Sequence, residues 1–176
     1  KHLFNIVREL SEPQLELDSD EQHATSITSG AAFFKILGLP PEDFPALPEI
    51  QSDVSHALDQ AVFRGMLEKT AYAASTDETR QFLNGVLLSF KDDKLTAVAT
   101  DGRRLALFEQ EMEIAKGSEC EMIVPSKTVS ELLRGLKEEE TVRIRQAKTQ
   151  IAFECGDLLV LSKLIEGPYP NFRQVI

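Results

Sequence analysis

One pattern recurs three times along the chain: a helix of about ten residues followed by three short strands. Apolar residues at helical spacing centre near residues 4, 64 and 131, a period of roughly 60 residues, and self-similarity of that kind marks an internally duplicated architecture. In the second and third copies a strand also precedes the helix, whereas the first copy lacks its leading strand. Each unit sets one helix against one face of a half-buried antiparallel sheet. It has apolar surface left over, so two units are expected to close on each other as a pseudo-twofold α+β domain.

Residues 1–10 place Leu3, Phe4, Ile6, Val7 and Leu10 on one side of a helical wheel, which predicts an amphipathic helix whose apolar stripe is core. Residues 14–18, 23–29 and 32–37 follow as β-type runs. Pro40, Pro41, Pro45 and Pro48 then break every regular pattern, because proline offers no backbone N–H. This is a linker, and it divides the chain into residues 1–46 and 47–176. Beyond it, residues 52–58 read as a strand. Residues 59–74 read as a helix capped by Asp59, with Val62, Phe63, Met66, Leu67, Thr70 and Ala71 facing the core. Strands are expected over residues 82–90, 95–100 and 104–109. The next copy has a strand at 121–124, a helix at 126–137 with Val129, Leu132, Leu133 and Leu136 as its stripe, and strands at 141–146, 150–154 and 158–164. Ser126, or a capping box from Thr128 to Glu131, would start that helix.

Few features point to catalysis. Cys120 and Cys155 stand apart without metal-ligand spacing, and read as buried or semi-buried thiols of a reducing compartment. His2, His23 and His56 are scattered, and no Gly-rich phosphate loop occurs, so no catalytic residue, metal or cofactor is assigned. Asp18-Ser19-Asp20-Glu21 reads as a solvated turn, because calcium loops show stricter alternation and a Gly. No apolar run approaches the roughly 20 residues of a membrane span. With no initiating Met and no leader pattern, the first residue reads as a cut end.

A net charge of −10 opposes nucleic acid at long range. Contact depends instead on where the 19 Lys and Arg residues lie. Lys127, Arg134 and Lys137 fall within an arc of about 80°, opposite the core stripe of the third helix. Lys1 and Arg8 do the same on the first helix, while Arg64 shares its face with Glu68 on the second. Read by themselves these are solvated faces.

A second polar feature lies in the run from Ala97 to Ala106. Apolar residues lead to Asp101-Gly102 and resume beyond, as in two antiparallel strands joined by a tight turn with positive φ at Gly. Thr100, Asp101, Arg103 and Arg104 give that corner more hydrogen-bonding capacity than a turn needs. It is either a solvated turn or a recognition corner.

The run Thr100-Asp101-Gly102-Arg103-Arg104-Leu105-Ala106 is preceded by Phe82-Leu83-Asn84-Gly85-Val86-Leu87. It is followed by Ile123-Val124-Pro125 and by Gly167-Pro168-Tyr169-Pro170-Asn171-Phe172. In this order and spacing the set resembles the bacterial replicative sliding clamps, the beta subunits of DNA polymerase III, over essentially the whole chain. The resemblance implies the DNA-clamp fold, with helices on the inner face of a ring and antiparallel sheets outside. Residues 1–46 would be the latter part of the first clamp domain and residues 47–176 the central domain, the third domain being absent.

The implied function is that of a cytoplasmic, cofactor-free processivity factor, a non-catalytic subunit of a DNA-directed DNA polymerase. It would tether the replicative polymerase to double-stranded DNA by nonspecific backbone contacts, and dock polymerase, clamp loader and repair proteins through short apolar peptides. The peptide pocket maps onto Leu83, Thr100, Gly102, Arg103, Arg104, Leu105, Pro170 and Val175. The DNA-facing set maps onto Lys1, Arg8, Arg80, Gln81, Lys127, Arg134 and Lys137, although Asp77 and Glu78 beside Arg80 repel phosphate. Phe33, Phe34 and Ile36 map onto the edge that closes a ring-shaped homodimer. Without the third domain the expectation is a monomer or a non-native dimer. Gln174 and Pro168 stand where basic residues are common, which bears on partner preference. The alternatives are an adaptor of the same fold that never encircles DNA and, more distantly, a carboxylate-dependent hydrolase relying on Asp101.

Overall fold

The computed structural model describes residues 1–46, 50, 54–137 and 140–174. They form two compact units, Lys1–Pro48 and Glu49–Ile176. In the first, helix α1 (His2–Arg8) precedes an antiparallel sheet of β1 (Glu16–Ser19), β2 (Ala24–Ser29) and β3 (Ala32–Leu37), in that order. The acidic quartet at the β1–β2 turn is used locally. The Asp20 carboxylate accepts the backbone N–H of Gln22 at 3.0 Å and of Ala24 at 2.9 Å, and pairs with Lys35 at 3.5 Å. The stripe on α1 differs from expectation, since the helix buries no residue and Phe4 is 66% exposed. The reason is size: among the described residues of this unit only Ala24, Ile27 and Ser29 are buried, too little to roof a helix as well.

The second unit runs β4 (Ser55–Asp59), α2 (Gln60–Thr70), β5 (Gly85–Lys91), β6 (Lys94–Thr100) and β7 (Leu105–Glu111). It continues as β8 (Cys120–Pro125), α3 (Ser126–Gly135), β9 (Thr141–Gln146), β10 (Gln150–Cys155) and β11 (Leu158–Lys163). These strands build two antiparallel four-stranded sheets, ordered β11-β10-β9-β4 and β7-β6-β5-β8. Each sheet therefore takes its fourth strand from the other copy. The two repeats exchange their leading strands, and neither sheet is complete within one repeat.

Asp59 caps α2 as its sequence position demands, its carboxylate accepting from the N–H of Ala61 at 2.7 Å and of Val62 at 3.3 Å. Phe63, Met66, Leu67 and Thr70 are buried on the expected face, and the ring of Phe63 stacks on Phe153 at 5.8 Å. The helix starts of the two repeats are not alike. The N–H and hydroxyl of Ser126 both donate to the Asn84 carbonyl, at 3.0 and 2.9 Å, and the Thr128 hydroxyl pairs with Ser162 at 2.7 Å. Neither the Ser126 cap nor the Thr128 capping box forms, because those hydroxyls hold α3 to neighbouring segments instead.

At its other end α3 stops at Gly135, so Lys137 lies beyond the helix and not on its basic stripe. The cause is the fully buried amide of Gln60. Its Oε1 accepts the Lys137 N–H at 2.7 Å, while its Nε2 donates to Thr141 O and Glu140 Oε2 at 3.3 Å each. A buried amide that must be satisfied draws the chain out of helical geometry.

Alternation along β5, β6 and β8 sends side chains to two different cores. Val86, Leu88, Phe90, Ala97, Ala99, Met122 and Val124 join α2, α3 and the facing sheet in the main core, while Leu87, Val98 and Ile123 point to the opposite face and form a second cluster. The central strands are covered on both sides, which explains their unbroken apolar runs. The strand expected from residue 82 begins only at Gly85. Before it, Leu83 N–H donates to Arg80 O and Asn84 N–H to Gln81 O, both at 2.9 Å, closing a tight turn over 81–83. At Gly85 a Cβ would overlap the carbonyl oxygen of Val124, so that close strand approach requires glycine. Among the described residues no helix is long and apolar enough to cross a membrane.

Candidate functional site

The polar corner is built by the β6–β7 hairpin, whose last pair is Thr100 opposite Leu105. Thr100 is buried; its hydroxyl donates to Arg104 O at 2.6 Å and accepts the Gly102 N–H at 3.0 Å. Asp101 accepts from the backbone N–H of Arg103 at 2.9 Å and of Arg104 at 3.0 Å, and pairs with the Arg104 guanidinium at 3.2 Å. Those backbone donors, with Arg104 behind them, hold its carboxyl below the usual carboxylate range. The polar surplus seen in the sequence is thus partly the turn's own scaffold. The carboxylate that a hydrolase would need is engaged in holding it.

Gly102 has φ of +87°, where a side chain is strained, and a Cβ there would stand 3.2 Å from Arg80 Nη1. Arg80 therefore lies against the hairpin. Its guanidinium also pairs with Asp77 at 3.2 Å, and Asp77 accepts from the Thr79 hydroxyl at 2.7 Å, so the loop before β5 folds onto the same corner. Gln81 is exposed in the tight turn that follows. Arg104 reaches the other way, donating to Tyr72 O at 2.8 Å and lying 5.6 Å from the centre of the Tyr72 ring. Arg103 is exposed and has no carboxylate partner among the described residues.

Leu105 is half-buried and continues the corner into an apolar shelf, where Phe82, Ile165, Tyr169 and Phe172 pack over Leu87, Val98 and Ile123. Residues 164–174 cross this face as a strap. It is tied by Leu164 N–H to Thr149 O at 2.9 Å, Ile165 N–H to Ile123 O at 3.0 Å and Tyr169 Oη to Val98 O at 3.4 Å. Burial pushes the Tyr169 phenol up to about 12. Beside the strap runs an open groove of about 800 Å³, lined on its apolar side by Leu87, Ile123, Ile165, Tyr169, Pro170 and Phe172.

Of the eight predicted pocket residues, Thr100, Gly102, Arg103, Arg104 and Leu105 share the hairpin, and Pro170 borders the groove. Leu83 is buried, its carbonyl accepting the Ser75 N–H at 2.9 Å, so its side chain is core. Val175 lies outside the described residues. The aromatic wall of Phe82, Tyr169 and Phe172, and the floor of Leu87, Val98 and Ile123, went unassigned in the sequence. The signal for the floor was there, since apolar residues at both odd and even positions of a strand mean that both faces are covered.

The expected basic faces are less basic than their spacing implied. Arg8 pairs with Glu9 at 3.0 Å, Arg134 with Glu131 at 2.9 Å and Lys137 with Glu140 at 3.6 Å. Lys127 and Lys1 are exposed and carry no ion pair among the described residues. On the edge strand β3, Phe33 is 64% and Phe34 41% exposed, and Ile36 is half-buried.

The cysteines are unpaired; Cys155 is buried, and Cys120 Sγ lies 3.7 Å from His56 Nε2. Burial and the neighbouring Glu121 push the Cys120 thiol up to about 11. Among the described residues no three His, Cys, Asp or Glu side chains converge as a metal cluster.

The family model for the DNA polymerase III beta subunit, central domain, matches residues 57–171. A beta sliding clamp of Chlamydia muridarum is 36% identical over 176 residues, all of this chain and 48% of that protein. One from Staphylococcus epidermidis is 34% identical over 172 residues, covering 97% of this chain and 45% of the relative. The chain thus spans about half the length of the curated relatives it matches. Among solved structures, the Bacillus subtilis DNA polymerase sliding clamp superposes with a TM-score of 0.84 at 31% identity, over 99% of this chain and 47% of that one. A Bartonella birtlesii sliding clamp bound to griselimycin gives 0.86 at 36%, over 99% and 48%. Exchanged repeats, a doubly covered central sheet and a match to the family model over most of the length lead to one conclusion: the chain belongs to the DNA polymerase III beta subunit family.

Proposed function

We propose that this chain is part of a DNA sliding clamp: a non-catalytic processivity factor that tethers a replicative polymerase to duplex DNA and docks partners by short apolar peptides. Residues 1–46 belong in this reading to the first clamp domain and residues 47–176 to the central one, with the complete protein a ring-shaped homodimer. The observation that carries the docking function is the continuity of the Thr100–Leu105 hairpin with the shelf of Phe82, Tyr169 and Phe172. A peptide Leu and Phe gain about 1.5–3 kcal/mol each on full burial, and the shelf supplies apolar surface for them. Arg103 and the Arg104 fork supply donors for the peptide backbone. Since ordering the peptide costs free energy, affinity on the order of 0.1–1 mM is expected for the surface this chain presents.

DNA contact is proposed to run through Lys1, Arg8, Lys127 and Arg134, cations that attract phosphate without reading bases. The pairing of Arg8 with Glu9 and of Arg134 with Glu131 supports weak, salt-sensitive binding by this chain. An NMR titration with a peptide carrying one Leu and one Phe tests the docking. Shifts at Thr100, Arg104, Leu105 and Pro170 are expected, and shifts clustered elsewhere refute it. For DNA, Lys127→Glu with Arg134→Glu should lower duplex affinity at low salt; an unchanged affinity makes that face a solvated one.

A further inference from the structure

The strap divides the outer face into a hairpin side and a groove side, and the groove side carries charge of its own. Lys91 at the end of β5, Lys148 in the β9–β10 turn and Arg173 in the strap all line the groove, and all three are exposed. Most arginines of the proposed docking and DNA faces are paired to a carboxylate within four residues, as for Arg8, Arg80, Arg104 and Arg134. By contrast Lys91, Lys148 and Arg173 have no ion-pair partner among the described residues. Of the two acids lining the groove, Glu121 is engaged by the Ser89 hydroxyl at 2.9 Å, and Glu166 is exposed. In a chain of net charge −10, these three cations, with the Arg173 guanidinium 5.9 Å from the Phe172 ring centre, outnumber the two acids around the groove and give it a locally positive rim.

We infer that this groove takes the acidic flank of the docked peptide: a segment continuous with the apolar anchor, passing Pro170 along the strap and setting one or two carboxylates between Lys91, Lys148 and Arg173. The inference rests on the docking proposed above. Pro170 and Phe172 border the groove, and Phe172 packs against the same Leu87–Val98–Ile123 cluster as Leu105, so hairpin and groove share one apolar floor along which an extended chain can run. Apolar lining from Leu87, Ile123 and Ile165 fits the side chains of a peptide. A nucleic-acid backbone has none to place there, and the net negative charge repels a polyanion more than a segment with two carboxylates.

The test uses the full 176-residue chain and peptides bearing one Leu and one Phe, extended through a Gly-Ser spacer at either end by two Glu or by two Gln. One of the two Glu-extended peptides should bind about fivefold more tightly than its Gln counterpart at low salt, as expected of two exposed ion pairs. It should add NMR shifts at Lys91, Lys148 and Ile165. Lys91→Glu with Lys148→Glu, both at exposed positions, should abolish that gain and leave the unextended peptide's affinity unchanged. If the unextended peptide shifts the hairpin but Glu brings no gain from either end, or the gain survives the charge reversal, the groove assignment is overturned while the docking stands. If the unextended peptide leaves the hairpin unshifted, the docking fails and the groove assignment falls with it. If duplex DNA shifts the same three residues and displaces the Glu-extended peptide, the rim is a nucleic-acid contact and not a peptide site.

Discussion

Arg104 donates from Nη2 to the backbone carbonyl of Tyr72 at 2.8 Å and stacks over its ring, tying the β6–β7 turn to the segment that follows α2. The same guanidinium pairs with Asp101, so one side chain sets the turn's conformation and its place on the molecule. Arg104→Lys keeps the charge but loses the planar fork that serves both partners. Being exposed, the change should lower the thermal midpoint by only about 2 °C. Peptide affinity should fall about fivefold because the donor geometry is lost. Calorimetric titration beside a thermal melt checks both, and an equal affinity with Lys would remove Arg104 from the site.

Leu105 and Phe63 give opposite expectations on truncation if the proposed docking holds. Phe63 is fully buried against Phe153, and Phe63→Ala should cost about 3–5 kcal/mol. Leu105 is half-buried on the shelf, and Leu105→Ala should cost about 1–2 kcal/mol, below the range for a buried leucine, leaving a folded protein with weakened peptide shifts. Urea unfolding with a conserved m-value establishes that the variant folds. If Leu105→Ala unfolds the unit, Leu105 is core.

Gly102→Val places a β-branched side chain at φ of +87° and against Arg80 Nη1. The left-handed conformation alone should cost about 1–2 kcal/mol. Peptide shifts at the corner should vanish even at temperatures where the variant is fully folded. Retained binding would mean that the ligand does not approach the turn.

His56 carries a pH dependence. It is buried in β4 and stacked on Phe90 of the facing sheet at 4.0 Å between centroids, and burial holds its pKa below the ordinary 6.5. As pH falls below 6.5, the unfolded chain takes up a proton that the folded chain refuses. This contribution to stability is therefore full above about pH 7 and lost progressively below 6.5. His56→Phe keeps an aromatic stack and removes the titration. Its stability should fall less than the parent's between pH 7 and 5 in urea midpoints. Parallel curves would refute the assignment.

The edge strand β3 exposes Phe33 and Phe34, and such an edge pairs with whatever it meets. Sedimentation velocity should show the average mass rising with concentration, and Phe33→Lys should suppress the rise. Self-association unchanged in the variant would place the contact elsewhere.

The repeated helix-and-strands pattern, the Asp59 cap and the hairpin turn at Gly102 were legible in residue order, because each depends on a local property: apolar period, a capping carboxylate, a tolerated φ. Local motifs carried the family resemblance for the same reason. Exchange of β4 and β8 between the sheets was decided only in three dimensions, since either strand pairs equally well by its own pattern until the facing helices and sheets fill the core between them. The same holds for α3, where buried Gln60 ends the helix ahead of Lys137 and the Asn84 carbonyl engages Ser126. At the site, residue order supplied the hairpin. The aromatic wall needed the fold, because Phe82, Tyr169 and Phe172 come together only when the strap crosses the outer face of a sheet whose inner face is already core. The charges followed the same division: spacing put Arg134 on a basic face, while only the fold gathered Lys91, Lys148 and Arg173, which have no ion pair among the described residues, around one groove.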